Sequence, residues 1–316
     1  MRKWILGLLA VLLLLLAGAY AFIPSKVEIT EVAGVNASPF SAYRCLTSAE
    51  VVRQWWKENH TTVQQAGQMG VRVSQGDDVF ILKPQMYNIV AVDIGADKDA
   101  VKSYLMIMGL TKDSALVQWK TEWPATSNIF ARVQQYLQGR QLKKQMAAAL
   151  DQFSSFMKNE DQVYGLKIQN TMVTDTLLVT TKMSTSAYPS TAAYYELIQK
   201  LQQHVERQGA QQTNYPMLNI LAIDSNQYET MVAIPINKII PEGDGIDVKR
   251  MVPGKILTAE VNGGRYAIEK GFLQMEHYIS ENSLTPPAIP FQSLVTNRLA
   301  EGDTSKWITR LYYPVL

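Results

Sequence analysis

The stretch from residue 163 to 315 repeats its own pattern, and that repeat limits the possible folds more than any other feature of the chain. Its first part predicts strands at 163–173 and 176–184, a helix at 191–207, and strands at 217–223 and 228–236. Its second part predicts strands at 248–252 and 255–262, a helix at 266–280, and strands at 291–296 and 306–315. The two helices carry matching apolar stripes, Tyr194, Ile198, Leu201 and Val205 in one and Ile268, Phe272, Met275 and Ile279 in the other, each at helical spacing. Residues 237–247, rich in Gly, Pro and acid, connect the parts. One supersecondary unit cannot cover its own apolar face, so two βαββ-like units are expected to share one sheet about a pseudo-two-fold, with a groove between them.

The first half of the chain follows a different rule. Val27 to Val35 alternates like a strand, and Ala37-Ser38-Pro39 opens a helix, expected to run to Asn59, with serine as cap and proline in the first turn. Short strands with turn signals follow, including turns at Gly76-Asp77-Asp78 and Asp97-Lys98-Asp99. In the last of them Val117, Trp119, Thr121 and Trp123 share one face while Gln118, Lys120 and Glu122 share the other, the mark of a half-buried antiparallel sheet. After Pro124 the pattern becomes one long helix, with Phe130, Val133, Leu137, Ala147, Leu150 and Phe153 or Met157 on a single stripe. The fold class is therefore α+β.

Residues Trp4 to Ile23 carry no charge and follow Arg2-Lys3. Their length matches a bilayer core, and the flanking charges place the N-terminus in the cytoplasm. A single-pass membrane anchor with the body in the periplasm or outside is one expectation. Secretion after cleavage near Ala21, at Ala19-Tyr20-Ala21, is the other. The expected boundaries are 1–24 for this leader, 25–158 for the first domain and 161–316 for the second.

Chemistry-bearing residues are sparse. A single cysteine, Cys45, excludes an internal disulfide and reads as a small buried residue. The three histidines are far apart, with His204 expected on a solvated helix face and His277 beside Glu276 and Glu281, so neither a metal nor a cofactor is expected. No G-x-S-x-G occurs, no catalytic residue is assigned, and a formal net charge of +2 with scattered basic residues gives no reason to expect nucleic acid as a partner.

Two resemblances go beyond pattern. Ile23-Pro24-Ser25-Lys26, Asn36-Ala37-Ser38-Pro39, the Trp55-Trp56 pair and the long helix after a meander make residues 22–158 similar to the START/polyketide-cyclase-like (SRPBCC) superfamily. That resemblance implies a helix-grip fold, an antiparallel sheet around a long C-terminal helix, with an apolar cavity. Gly263-Gly264-Arg265-Tyr266, Pro286-Pro287 and Leu311-Tyr312-Tyr313-Pro314-Val315 make residues 161–316 similar to the GyrI-like small-molecule-binding domain, the effector-binding domain of AraC-type regulators. That resemblance implies recognition of small, often cationic or apolar, ligands in the groove between the repeats. Where the family usually carries a glutamate after the proline loop, this chain has Gln292, followed by Leu294 in place of an aromatic. A carboxamide neither pairs with a cation nor acts as a general acid or base, although it still donates and accepts hydrogen bonds.

The ligand-binding residues expected are Trp55, Trp119 and Trp123 in the first domain. In the second they are Tyr188, Tyr228, Tyr266, Phe291, Gln292, Trp307 and Tyr312. Their rings offer apolar faces with polar tips. The function expected is non-enzymatic binding of a small apolar or amphipathic ligand by a membrane-tethered or exported protein. The alternatives are a hydrolase or cyclase using Glu229 or Glu260 as base, and a structural or interaction module.

Overall fold

The computed structural model describes residues 4, 18, 20, 23, 26–95, 100–123 and 128–316. The chain divides into two compact units, residues 1–163 and 164–316. It is α+β, with one antiparallel sheet in each unit. Among the described residues no helix is long and apolar enough to cross a membrane. The expected anchor and the localisation drawn from it are therefore not supported by any helix among the described residues; the run at 4–23 lies almost wholly outside them, as do the turn at 97–99 and Pro124.

The first unit begins with β1 (Val27–Val35), α1 (Pro39–Thr47) and α2 (Ala49–Trp55). The meander that follows is β2 (Thr61–Ala66), β3 (Gly70–Gln75), β4 (Asp78–Met86), β5 (Ile89–Ile94), β6 (Val101–Thr111) and β7 (Ser114–Trp123). Its seven strands lie in the order β1-β7-β6-β5-β4-β3-β2, so the first strand closes beside the last by pairing antiparallel with β7. Ser38 caps α1, its Oγ accepting from the Ser41 amide at 3.1 Å, with Pro39 in the first turn. The single helix expected to Asn59 is instead two, because Ser48 takes an extended conformation (φ −96°, ψ 116°) and chain direction changes there.

The core of this unit is an aromatic cluster. Trp55 and Trp56 stack with ring centroids 5.3 Å apart, Phe153 meets Trp55 at 5.0 Å, and Trp119 meets Trp56 at 6.1 Å and Phe80 at 5.9 Å. Phe153 belongs to α3 (Ile129–Met157), whose Asn128 cap accepts from the amides of Phe130 and Ala131. The stripe expected on α3 holds only in its C-terminal half. Phe130 and Leu137 are exposed, and the buried face runs through Arg132, Gly139, Leu142 and Met146. The reason lies at Gly139, where a Cβ would come within 2.9 Å of Val27 Cγ1 and 3.6 Å of the Trp123 ring. The helix approaches the sheet through its glycine, which an apolar-residue count cannot register.

A short helix, α4 (Glu160–Tyr164), occupies the start of what was expected as a strand at 163–173. The second unit then runs β8 (Gln169–Met172), β9 (Leu177–Thr185), α5 (Thr191–Arg207), β10 (Met217–Asp224), β11 (Gln227–Pro235), β12 (Asp247–Arg250), β13 (Lys255–Asn262), α6 (Arg265–Glu281), β14 (Phe291–Leu294) and β15 (Ile308–Val315). The sheet order is β12-β9-β11-β10-β14-β15-β13-β8. β10 and β14 pair at its centre, and the outermost strands cross over: β8 pairs with β13, and β12 pairs with β9.

Side chains alternate across each strand. Val179, Leu218, Val232, Ile234 and Leu294 therefore pack with Tyr194, Ile198 and Leu201 of α5. Leu257, Ala259 and Leu311 pack with Ile268 and Met275 of α6. Their neighbours Leu178, Met217 and Ala233 form a separate small cluster with Met251 and Phe291. His204, expected on a solvated face, is 6% exposed and donates from Nε2 to the Pro241 carbonyl at 2.9 Å; the loop folding over α5 covers it. On α6, a Cβ at Gly271 would lie 2.6 Å from Leu311 Cδ1 and 2.9 Å from Val261 Cγ1. Gly271→Leu is thus expected to cost about 1–3 kcal/mol by overpacking, read as a lower urea midpoint at unchanged slope.

Candidate functional site

The face of the second sheet turned away from α5 and α6 holds a cavity of about 200 Å³. Leu178, Met217, Met231, Ala233, Met251 and Phe291 line it, and Lys249 and Arg250 of β12 stand at its edge with Ile289. Four consecutive strands in the sheet order, β9, β11, β10 and β14, supply its floor, which fixes its position by backbone pairing. Phe291 is held in place by Tyr312, stacked at 5.0 Å with the ring planes 13° apart. Asn219, which with Thr180 is polar on the floor, donates from Nδ2 to the Pro290 carbonyl at 2.8 Å. About 150 Å³ of apolar cavity accommodates benzene, so this one is sized for a substituted ring or a short alkyl chain. Its methionines are unbranched and polarizable, which lets the walls follow a ligand's shape.

The helix-covered face of the same sheet holds a polar cluster. Arg298, 6% exposed, donates from Nη2 to Gln292 Oε1 at 2.9 Å and to Thr309 Oγ1 at 2.7 Å, and from Nη1 to Tyr194 Oη at 3.3 Å. Its backbone amide donates to Tyr195 Oη at 2.7 Å, and its guanidinium lies 4.9 Å from the centre of the Trp307 ring. Burial pushes the Tyr195 hydroxyl up from its ordinary range, against the lowering effect of that amide. Nearby, Tyr188 meets Tyr228 edge to face at 5.7 Å and carries Arg265 over its ring at 3.7 Å. Burial raises the Tyr188 pKa, opposed by the charges of Arg265 and Arg298.

The expected binding residues are thus divided. Gln292 and Trp307 meet at Arg298; Tyr188 and Tyr228 pair with each other close by; Phe291 and Tyr312 lie on the opposite face, at the cavity. Tyr266 is 79% exposed. In the first unit the Trp55 ring packs on Trp56 and Phe153 and the Trp119 ring on Trp56 and Phe80, and Trp123 lines a cavity of about 430 Å³ with Asp77, Asp78, Gln138, Gln141 and Gln145. Glu229 pairs with Lys182 at 3.0 Å and Glu260 with Arg310 at 3.5 Å, and neither lines the apolar cavity. Among the described residues no group of three or more His, Cys, Asp or Glu is placed to hold a metal ion. Cys45 is buried.

Arg298 and the methionines were not among the expected residues. The methionines have a readable signal, since Met217, Met231 and Met251 fall in or beside predicted strands. Arg298 has none, because it sits in a connecting segment whose path only the fold determines.

No protein-family profile matches the chain, and no curated protein matches it in sequence. Among solved structures it is similar to the C-terminal domain of EcmrR, at 13% identity over 48% of this chain and 98% of that one, with a TM-score of 0.42. It is also similar to the Aha1 dimer from Colwellia psychrerythraea, at 15% identity over 42% and 96% of the two chains and a TM-score of 0.32. A third is SAV2435 bound to tetraphenylphosphonium, at 16% identity over 48% and 94% and a TM-score of 0.32. Likenesses this distant carry no argument about this chain's ligand.

Proposed function

We propose that residues 161–316 form a small-molecule-binding module that takes an apolar or amphipathic ligand on the open face of its sheet, by binding rather than catalysis. The observation that carries this reading is the cavity of about 200 Å³ walled by Leu178, Met217, Met231, Ala233, Met251 and Phe291. An apolar recess with few polar groups is what a small apolar body requires. Lys249 and Arg250 at the edge suit a polar or anionic end left outside. The crossover of β8 and β12 supports a duplicated βαββ domain of the GyrI-like kind, and the seven-stranded meander followed by α3 supports a helix-grip first domain over residues 25–158. For that first domain the packed Trp55, Trp56 and Trp119 favour a structural or interaction role over ligand binding.

Thermal unfolding of the purified chain with a panel of substituted benzenes, short fatty acids and lipophilic cations tests the proposal. Saturable stabilisation by at least one apolar or amphipathic member is expected. A flat response across the panel refutes it.

A further inference from the structure

The open-face cavity is apolar, but its charged border has one sign. Lys249 and Arg250 both line it, and its described lining residues include no Asp or Glu. Backbone pairing fixes where this charge stands. Lys249 lies directly opposite Leu178 of β9, and Arg250 opposite Leu177. Cross-strand partners project to the same face of a sheet, and Leu178 is a wall of the cavity, so Lys249 rises beside that wall. Met251, the next residue along, is tied to the segment before β9 by its amide, which donates to the Thr176 carbonyl at 2.8 Å, and it too lines the cavity.

The carboxylates on or beside this face do not cancel that charge. Glu229 pairs with Lys182 at 3.0 Å and Glu260 with Arg310 at 3.5 Å. Glu242 accepts from the Val248 amide at 3.0 Å, and Asp247 lies opposite Thr180 without lining the cavity. Among the described residues neither Lys249 nor Arg250 belongs to an ion pair. Two such cations at the rim of a low-dielectric recess focus a positive potential on it.

We infer that the ligand of this cavity is an amphipathic anion, an alkyl or aryl carboxylate with its charged end at Lys249 and Arg250 and its tail directed toward Phe291; this rests on the reading of the cavity as a ligand site. The strands that line it run from β12 to β14 in the order β12-β9-β11-β10-β14. Four spacings of about 4.8 Å separate the first from the last, so head and tail have about 19 Å across the strands. At the exposed rim the carboxylate keeps part of its hydration, which spares it the cost of full burial. This charge is the reverse of the cations that the GyrI-like resemblance implies.

The test is isothermal titration of the full chain with octanoate, octanol and octyltrimethylammonium, which share one tail and differ in the charge of the head. Exposed ion pairs are individually weak, so two of them give octanoate an expected advantage over octyltrimethylammonium of about two- to thirtyfold. That advantage is expected to shrink at high salt. Lys249→Glu combined with Arg250→Glu, both at exposed positions, is expected to invert the preference while octanol affinity stays within about twofold. Lys249→Met with Arg250→Met serves if the first pair does not fold, and is expected to erase the preference. Equal binding of anion and cation, tighter binding of the cation, or a preference unchanged in the variants overturns the inference. Octanol binding without any charge preference overturns it while leaving the cavity a ligand site, whereas no binding by any of the three overturns both.

Discussion

Trp119→Ala is expected to destabilise the first unit by about 3–5 kcal/mol, the range for truncating a buried large aromatic. Trp119 is 1% exposed and packs edge-on against both Trp56 and Phe80. It also does polar work: its Nε1–H donates to Ser103 Oγ at 3.0 Å, and that hydroxyl donates onward to the Val92 carbonyl at 2.9 Å. The change therefore leaves both a void beside the two rings of Trp56 and Phe80 and a buried serine oxygen with one acceptor position unused. Trp119→Phe keeps much of the packing and loses only the hydrogen bond, so its expected cost is smaller, about 1–2 kcal/mol. Urea denaturation separates the two, as shifts in midpoint at unchanged slope. A loss below about 1 kcal/mol for the alanine variant would mean that the cluster relaxes freely, unlike a close-packed core.

Ala233→Phe is expected to abolish binding at the open-face cavity while leaving the fold intact. Ala233 is 7% exposed and its side chain forms part of the cavity floor. A benzyl group there fills the recess from within. A ligand that buries about 100 Å² of apolar surface gains roughly 2.5 kcal/mol, so losing the recess costs about 70-fold in affinity. Filling a cavity ordinarily raises stability by about 0.5–2 kcal/mol, so the variant should unfold at the same temperature or higher. Reduced binding without reduced stability is the combination to look for in parallel titration and thermal scans. An unchanged affinity would place the ligand elsewhere.

How far the sequence carried the fold depended on whether a pattern was local. The helix at 191–207 and the strand at 255–262 have the bounds expected of them, because their apolar spacing and end signals lie within the segment itself. α3 was only half legible: Gly139 turns its N-terminal half so that Phe130 and Leu137 face outward. His204 lies among polar neighbours in sequence, and only the path of the Pro241 segment buries it. For the site, strand alternation already separates Phe291 from Gln292, since consecutive strand residues point to opposite faces. The aromatics expected to line one groove accordingly divide between two faces of one sheet. Gln292 was legible as an unusual residue, but its meaning was not, because Arg298 lies in a segment without regular pattern and reaches it only in three dimensions.

The central claim is that the open face of the second sheet holds a small apolar ligand. Methyl NMR of the chain's 13 methionines tests it most directly, with Met217, Met231 and Met251 assigned by substitution. Titration with the strongest stabiliser from the thermal panel should shift those three methyl signals together and saturably, ahead of exposed ones such as Met69 and Met172. If the ligand stabilises the protein while those three signals stay where they were, the cavity is not the binding site.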